Sequence, residues 1–266
     1  MPTRVIDGLA VNWMERAGQG PTVLLLHCSL AMHRAWSGVI EGLPDDAHVI
    51  AMDLPGHGAT DFDPSRGIVA QTRAVAEILA QDTGGPVHLV GHSFGAVVAL
   101  HIAARSPALV ASLTLYEPVL FALTRDVGNP VWDEQVAFDQ GFVRAMDQGA
   151  EAGLRHFLSR WGEGEDIDAL SETRRRYLLD RIGLITVSKE ALFGDGPERL
   201  YADELTSIVA PVRLMAGSAS PQIVHNILDV IAPRVDCRNR ITINGAAHMG
   251  PITHPAEVAA EISAQL

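Results

Sequence analysis

Short apolar runs and longer amphipathic stretches alternate along most of this chain. The short runs predict eight strands, at residues 4–6, 11–16, 23–27, 48–52, 87–91, 113–116, 212–216 and 240–243. The longer stretches predict helices at residues 34–43, 68–81, 94–106, 223–232 and 256–266. Several of the short runs are apolar throughout, which is typical of parallel strands buried on both faces. The pattern therefore predicts an α/β fold with a mostly parallel, eight-stranded sheet and helices on both of its faces.

The alternation stops between residues 119 and 203, where no strand is expected. Four helices are predicted there instead, at residues 131–148, 151–161, 171–181 and 188–193, and nine of the 14 aromatic residues lie in this stretch. We expect residues 119–203 to be a helical cap inserted into a single core made of residues 1–118 and 204–266. Two interpretations of the aromatic residues stay open: they form the core of this helical layer, or some of them roof an apolar pocket.

The charge and the cysteine content of the chain disfavour several classes of protein. With 20 Lys and Arg residues against 32 Asp and Glu residues, the net charge is −12, which disfavours binding to nucleic acid or to anionic lipid. Cys28 and Cys237 are too few for a disulfide framework or for a zinc site built from thiolates. No apolar run reaches the roughly 18 residues of a membrane span. We expect a cytoplasmic protein with no nucleic-acid or membrane partner.

The strongest chemical signal is the pentapeptide Gly91-His92-Ser93-Phe94-Gly95. It stands between a predicted strand and a predicted helix, so the chain has to turn sharply at the serine, and glycines leave room where a Cβ would collide. Such a turn projects the serine hydroxyl above the carboxyl edge of the sheet, close to the free amides of the helix N-terminus. The pattern is typical of a serine nucleophile.

With this motif the chain resembles the α/β-hydrolase family, and further segments match that family in the same order. Residues 27–29 (His-Cys-Ser) stand at the place of the oxyanion loop, and Trp36 follows at the usual distance. Residues 53–58 are similar to the family's Asp-x-x-Gly-x-Gly loop, and residues 245–248 (Gly-Ala-Ala-His) resemble the segment that carries its catalytic histidine. The resemblance covers essentially the whole chain, with residues 119–203 in the place of the variable cap.

The resemblance implies a role for each matching residue. It makes Ser93 the nucleophile and His248 the general base and acid, because a neutral hydroxyl needs an adjacent imidazole to take its proton. It makes the amides of Phe94 and Ser29 the oxyanion hole. Three loop histidines are expected to make local hydrogen bonds: His27, His57 and His92. The residues that we expect to line the substrate pocket are His27, Trp132, Phe142 and Trp161.

Two positions depart from the family pattern. Cys28 replaces the usual glycine of the oxyanion loop, and its use as a nucleophile is disfavoured because nothing nearby in the sequence would lower its pKa. After the strand at residues 212–216 the family places its acid in a Gly-x-x-Asp pattern, but this chain has Ser220 at that position. A hydroxyl cannot supply the negative charge that stabilises an imidazolium, and we expect it to make at most one neutral hydrogen bond.

The acid must therefore come from elsewhere, or the triad is incomplete. Asp229 is the next acid downstream, but it falls inside a predicted helix and should not reach His248. Glu117 ends the strand at residues 113–116, and Pro118 is expected to hold it extended at the carboxyl edge on which Ser93 lies. Some branches of the family place their acid after this strand. We prefer Glu117 as the acid, with a surface or cap-anchoring carboxylate as the alternative interpretation.

Together these residues predict a serine hydrolase that acts on a small, fairly apolar ester, lactone or related acyl compound through an acyl-enzyme. A small-molecule substrate is the only partner implied, charged substrates are expected to be poor, and neither a cofactor nor a metal is implied. Dehalogenation is disfavoured because it needs a carboxylate where Ser93 stands. Three alternatives stay open: carbon–carbon bond hydrolysis or cofactor-free perhydrolysis on the same triad, and a non-catalytic receptor for a small molecule. The oligomeric state is not indicated.

Overall fold

A computed structural model describes residues 2–162, 164 and 166–266. Its sheet is made of eight strands: β1 Thr3–Ile6, β2 Leu9–Arg16, β3 Thr22–Leu26, β4 His48–Met52, β5 Val87–His92, β6 Val110–Tyr116, β7 Val212–Gly217 and β8 Cys237–Ile243. The strand order is β1-β2-β4-β3-β5-β6-β7-β8, in which β2 pairs antiparallel with β1 and β4 and all other pairs are parallel. The eight predicted strands are confirmed, although β6 and β8 begin three residues earlier than expected.

The helices outside residues 119–203 also follow the prediction closely. They are α1 Ser37–Glu41, preceded by a 3-10 turn at His33–Trp36, α2 Ile68–Asp82 and α3 Phe94–Arg105. In the intervening segment lie α4 Ala122–Asp126, α5 Val131–Asp147, α6 Ala150–Trp161, α7 Glu172–Leu179 and α8 Gly183–Phe193. The chain ends with α9 Gln222–Ile231, α10 Gly250–Thr253 and α11 Pro255–Ser263. Helices α4 and α10 were not predicted, and α8 begins five residues before its predicted start.

Alternate side chains of the strands divide the apolar core into two parts. On β3, Leu24 and Leu26 pack in the larger cluster, which also takes in α2, α3 and α9, whereas Val23 and Leu25 pack in a smaller cluster with α1 and α11. This is the two-residue period of a strand that is covered on both faces. The inner strands are therefore buried between two helical layers, whereas the edge strands β1 and β8 are largely exposed, so groups on the inner strands can reach open space only at the strand ends.

The helices between β6 and β7 stand over the carboxyl ends of the strands. They have an apolar cluster of their own, centred on Phe142, Leu154 and Leu158, which includes Leu30 from the loop after β3. Trp161 and Leu192, from α6 and α8, belong to the larger cluster of the sheet. The segment is thus packed continuously onto the sheet edge. Of the residues that the structure describes, no helix combines the length and the apolar character needed to cross a bilayer.

Candidate active site

Ser93 occupies a strained turn between β5 and α3. Its backbone angles, φ 55° and ψ −116°, lie where non-glycine residues are seldom found. A Cβ on Gly91 would lie 2.4 Å from the Cα of Ala96, and a Cβ on Gly95 would lie 2.2 Å from the carbonyl oxygen of Leu26. Both glycines are therefore required by close backbone approach, and the second brings the turn against the end of β3.

Ser93, His248 and Glu117 form a continuous line of hydrogen bonds. The Nε2 atom of His248 lies 3.0 Å from Ser93 Oγ, and its Nδ1 atom lies 2.7 Å from Glu117 Oε2. All three side chains are buried, and that of Glu117 is completely inaccessible. Because Nδ1 faces a carboxylate, the neutral ring carries its proton there and leaves Nε2 free to accept the proton of the serine hydroxyl.

The backbone at Glu117 is not extended, as the sequence had suggested. Its φ is 49°, in the left-handed region, so the prediction from Pro118 is wrong in its geometry. The expected location is nevertheless found, because the Glu117 amide donates to the Met215 carbonyl on β7 at 3.0 Å and places the residue at the carboxyl edge of the sheet. Proline excludes the right-handed helical region for the residue before it, and here the chain takes the left-handed turn instead.

Two donors from the end of β7 hold the second carboxylate oxygen of Glu117. The Gly217 amide donates to Oε1 at 2.8 Å, and the Ser220 hydroxyl donates to the same oxygen. The expectation that Ser220 makes at most a neutral hydrogen bond is therefore wrong, since its acceptor is a carboxylate. Asp229 lies in α9 and pairs with Arg240, so the expectation that it does not reach His248 is confirmed.

The loop that carries His248 is held by the residues that precede Ser93 and Glu117. His92 donates from Nε2 to the His248 carbonyl at 2.7 Å, and Tyr116 donates from its hydroxyl to the Ala247 carbonyl at 2.7 Å. His92 and Tyr116 are register partners at the ends of β5 and β6, with ring centroids 5.5 Å apart. Burial lowers the pKa of His92 well below its usual value, so its ring is neutral beside His248. The local hydrogen bond expected of His92 is found, but its target was not foreseen.

The hydrogen bonds of His27 fix the orientation of the peptide between Cys28 and Ser29. Leu54 donates its amide to His27 Nε2 at 3.0 Å, so the ring proton is on Nδ1, which donates to the Cys28 carbonyl at 2.7 Å. The carbonyl and amide of one trans peptide point in opposite directions, so the Ser29 amide faces away from His27. Within residues 2–162, 164 and 166–266, the amides of Ser29 and Phe94 have no hydrogen-bond acceptor.

This geometry corrects the expectation that His27 lines the pocket. The ring is completely buried beneath the loop, and burial lowers its pKa to about 4. His27 thus acts on the loop by local hydrogen bonds, which is the other role that the sequence suggested. Burial also raises the pKa of the neighbouring Cys28 thiol to about 12. The thiol is protonated near neutrality, in agreement with the prediction that Cys28 is not a nucleophile.

A largely apolar pocket lies between Ser93 and the helices of residues 119–203. The space between the lining residues is about 680 Å³ when the open mouth is included. Phe142 and Trp161 line it, as expected, and Trp161 packs edge-on against His248 with ring centroids 4.7 Å apart. Trp132 does not line it, because its ring packs against Phe193 and under the Arg125 guanidinium. The prediction for Trp132 is wrong: the aromatic count could not show which ring faces inward.

The donor set of the site gives no reason to expect a metal. Among the described residues, no three His, Cys, Asp or Glu side chains come together in a way that could hold a metal ion. Both ring nitrogens of His27 and the Nε2 atom of His92 are engaged with backbone groups. The chemistry that this arrangement can perform is proton transfer at a hydroxyl.

The sequence of this chain is similar to that of known proteins over most of its length. The sequence model described as the Alpha/beta hydrolase family matches residues 23–261. Lipase LipV of Mycobacterium tuberculosis is 39% identical over 263 residues, which cover 95% of this chain and 97% of that protein. The pimeloyl-acyl-carrier-protein methyl ester esterase of Methylococcus capsulatus is 29% identical over 251 residues, which cover 91% of this chain and 93% of that protein.

Solved structures agree in fold. The enol-lactonase from Burkholderia xenovorans LB400 superposes with a TM-score of 0.73 at 15% identity, and the match covers 99% of both chains. Another solved structure, a membrane phospholipase A, gives a TM-score of 0.75 at 20% identity and covers 99% of this chain and 84% of that one. At these identities the likeness shows a shared fold and no more.

Proposed function

The chain belongs to the alpha/beta hydrolase family, and on that premise we propose that it is a serine hydrolase with Ser93, His248 and Glu117 as its catalytic triad. The observation that carries the proposal is the unbroken line of hydrogen bonds from the Ser93 hydroxyl through His248 to the Glu117 carboxylate. A serine in an ordinary strand-to-helix turn would need neither a buried imidazole at its hydroxyl nor a buried carboxylate behind that imidazole.

The proposed reaction proceeds through an acyl-enzyme. Ser93 Oγ attacks the carbonyl carbon of an ester while His248 Nε2 takes the hydroxyl proton, and the Ser29 and Phe94 amides donate to the oxyanion that forms. The tetrahedral intermediate collapses, the carbon–oxygen bond to the alcohol breaks, and His248 returns its proton to the departing alcohol. A water molecule then repeats the sequence: it loses a proton to His248, attacks the acyl group and releases the carboxylic acid and Ser93.

Glu117 keeps the imidazole in the tautomer that can accept a proton at Nε2. Its negative charge also stabilises the imidazolium that exists while the intermediate is present. Ser220 and the Gly217 amide act on Glu117 alone, so we assign them as positioning groups that leave Oε2 directed at His248. His92 and Tyr116 have the same kind of role on the backbone at His248.

We assign residues 119–203 as a cap that supplies the wall of the substrate pocket. The pocket lining from this segment is rich in aromatic side chains and holds one acidic residue, Asp139, which supports a small and mostly apolar ester, lactone or related acyl compound as the substrate. Three arginines of this segment could have received an anionic substrate, but Arg125, Arg144 and Arg155 are all outside the pocket lining, and Arg125 and Arg155 are paired with acidic side chains. Charged substrates are accordingly expected to be poor.

The non-catalytic receptor is less well supported than a hydrolase. Its main support was the serine at position 220, and that serine now has a partner in a carboxylate that faces His248. Carbon–carbon bond hydrolysis and perhydrolysis would use the same triad, but no feature of the described residues favours either reaction over ester hydrolysis. Ester hydrolysis is therefore the function that we propose.

Turnover of a short-chain p-nitrophenyl ester tests this proposal. Ser93→Ala and His248→Ala should each lower kcat by about three orders of magnitude or more, since the two groups act as one unit. Ser112→Ala is a matched control, because Ser112 is a buried serine of β6 that bonds to His88. Retention of a tenth of the wild-type rate in folded Ser93→Ala would contradict the serine-nucleophile assignment.

A further inference from the structure

The pocket wall opposite the sheet edge contains a buried amide that lacks part of its hydrogen bonding. Gln135 lies on α5, lines the pocket and is only 2% exposed. Its Oε1 atom accepts from Arg160 Nη1 at 3.0 Å. A guanidinium can only donate, so the amide oxygen must face Arg160 and the amide nitrogen must face away from it. Within the described part of the chain, that nitrogen has no acceptor.

Arg160 holds Gln135 in this orientation. Its guanidinium lies 4.0 Å above the ring of Phe138, a pocket residue one helical turn from Gln135. The amide of Gln135 is therefore fixed by a stacked cation and cannot rotate without loss of that bond. Gln135 lines the pocket, and its amide nitrogen is not among the described polar atoms that are sealed from solvent without a partner, so this donor is open to an acceptor atom of a ligand.

Asp139 supplies an acceptor on the same wall. It follows Gln135 by four residues on α5, so both side chains lie on one face of the helix, and both line the pocket. Its Oδ2 atom pairs with Lys189 Nζ of α8 at 2.5 Å. Lys189 is the only lysine of the chain. Lys189 offsets part of the charge of Asp139, and the other carboxylate oxygen keeps the capacity to accept a hydrogen bond.

We propose that Gln135 and Asp139 form a subsite for a neutral hydroxyl group of the substrate, which accepts from the Gln135 amide and donates to the Asp139 carboxylate. This inference rests on the proposed function and specifies its substrate class: an ester of apolar body that carries a hydroxyl remote from the scissile bond. A hydroxyl has one donor and two acceptor positions, so one group can satisfy both residues. A carboxylate would be repelled by Asp139, and an ammonium would compete with Lys189.

The test compares esters that differ only by a methyl group in place of a hydroxyl group. One pair is ethyl 6-hydroxyhexanoate and ethyl heptanoate, which probes the acyl side, and the other is 6-hydroxyhexyl acetate and heptyl acetate, which probes the alcohol side. For each pair, kcat/KM is measured by titration of the released acid, and the value for the hydroxylated ester is divided by the value for its methyl counterpart. For at least one of the two pairs, this ratio should be about tenfold higher in the wild type than in Gln135→Leu. A tenfold difference is the effect of one hydrogen bond.

Two further variants make the result interpretable. Gln140→Leu removes an exposed amide from the same helix and should leave the ratio unchanged. Asp139→Asn keeps the shape of the side chain and should lower the same ratio, so it tests the subsite independently of whether Gln135→Leu folds. Ethyl 6-aminohexanoate and monoethyl adipate, the charged analogues, should both be poorer than the hydroxy ester.

The outcomes separate the subsite from the proposed function. Equal ratios in the wild type, Gln135→Leu and Asp139→Asn would overturn the subsite, as would preference for either charged analogue. An enzyme that is labelled at Ser93 by a small fluorophosphonate but hydrolyses none of these esters would also contradict the subsite. Failure of that labelling would contradict the proposed function instead.

Discussion

The two walls of the pocket are held in place by different kinds of contact. The wall at the sheet edge holds Ser93, His248 and Glu117, and backbone groups or buried donors at the strand ends fix each of them. The opposite wall consists of side chains from α5, α6 and α8, which are held by ring contacts, by the ion pair of Asp139 with Lys189 and by the hydrogen bond from Arg160 to Gln135. Under the proposed function, the reacting groups lie on an edge that backbone contacts define, and the groups that select the substrate lie on helices that side-chain contacts hold.

Trp161 is where the two walls meet. Its ring contacts that of His248 on one side and that of Phe121 on the other, with centroid distances of 4.7 Å and 6.0 Å. Changes on the sheet side should therefore alter kcat, whereas changes on the helical side should alter KM and substrate preference.

The largest effect is expected from Glu117→Gln. Loss of the carboxylate charge removes the stabilisation of the imidazolium and favours the wrong tautomer, so kcat should fall by roughly two to four orders of magnitude with little change in KM. Asp229→Asn, which removes a carboxylate that pairs with Arg240, is the control and should behave as the wild type. Steady-state kinetics on any accepted ester measures both values. Near-normal kcat in Glu117→Gln would place the acid elsewhere.

A smaller effect on the same wall is expected from Ser220→Ala. The substitution removes one hydrogen bond to a buried carboxylate, so kcat should fall by about tenfold at unchanged KM. Ser220→Thr keeps a hydroxyl at this position and should recover most of the loss. A purely structural role for Ser220 would instead lower the melting temperature and leave kcat per folded molecule unchanged.

On the helical wall, Phe142→Leu should act on binding. Phe142 lines the pocket and is buried, so a smaller side chain weakens contacts with an apolar substrate and should raise KM several-fold with kcat nearly constant. The rate at which a small fluorophosphonate labels Ser93 should not change, because that reagent needs only the sheet-edge wall. A large fall in that rate would show that the two walls are not separable.

The last prediction concerns the pH dependence of the free energy of unfolding. Burial lowers the pKa of three imidazoles outside residues 119–203, to about 4 for His27 and about 3 for His57 and His101, from 6.5. The unfolded chain therefore binds more protons below pH 6.5, so the free energy of unfolding should fall as pH drops from about 6.5 toward 3. Denaturant melts between pH 7 and pH 5 measure the slope, and His101→Leu should reduce it. A flat profile in the wild type would contradict these shifts.

The sequence could predict the sheet-edge wall because its residues obey local rules. Gly91 and Gly95 are required by backbone contacts that leave no room for a Cβ, and the serine between them follows a strand and starts a helix. The location of Glu117 followed from its place at a strand end, although its backbone angle did not. What sequence could not give was the partner of Ser220, since that contact joins residues 103 positions apart.

The helical wall was predicted only in outline. Its helices were found from their periodicity, but which side chains face the pocket depends on how α5, α6 and α8 pack together, which no local rule specifies. Phe142 and Trp161 belong to the pocket lining, and Trp132 does not. A single amide in an amphipathic helix predicts no role, so the sequence did not single out Gln135. Its orientation in the pocket follows only from the hydrogen bond with Arg160.

The central claim is that Glu117 activates Ser93 through His248, and the rate of labelling by a small fluorophosphonate tests it without knowledge of the substrate. Intact mass should show one adduct per chain on the wild type, located at Ser93, and none on Ser93→Ala. We predict that the second-order rate constant for labelling falls at least a hundredfold in Glu117→Gln and is unchanged in Asp229→Asn. Labelling of Glu117→Gln at the wild-type rate, or an adduct on any residue other than Ser93, would contradict the account.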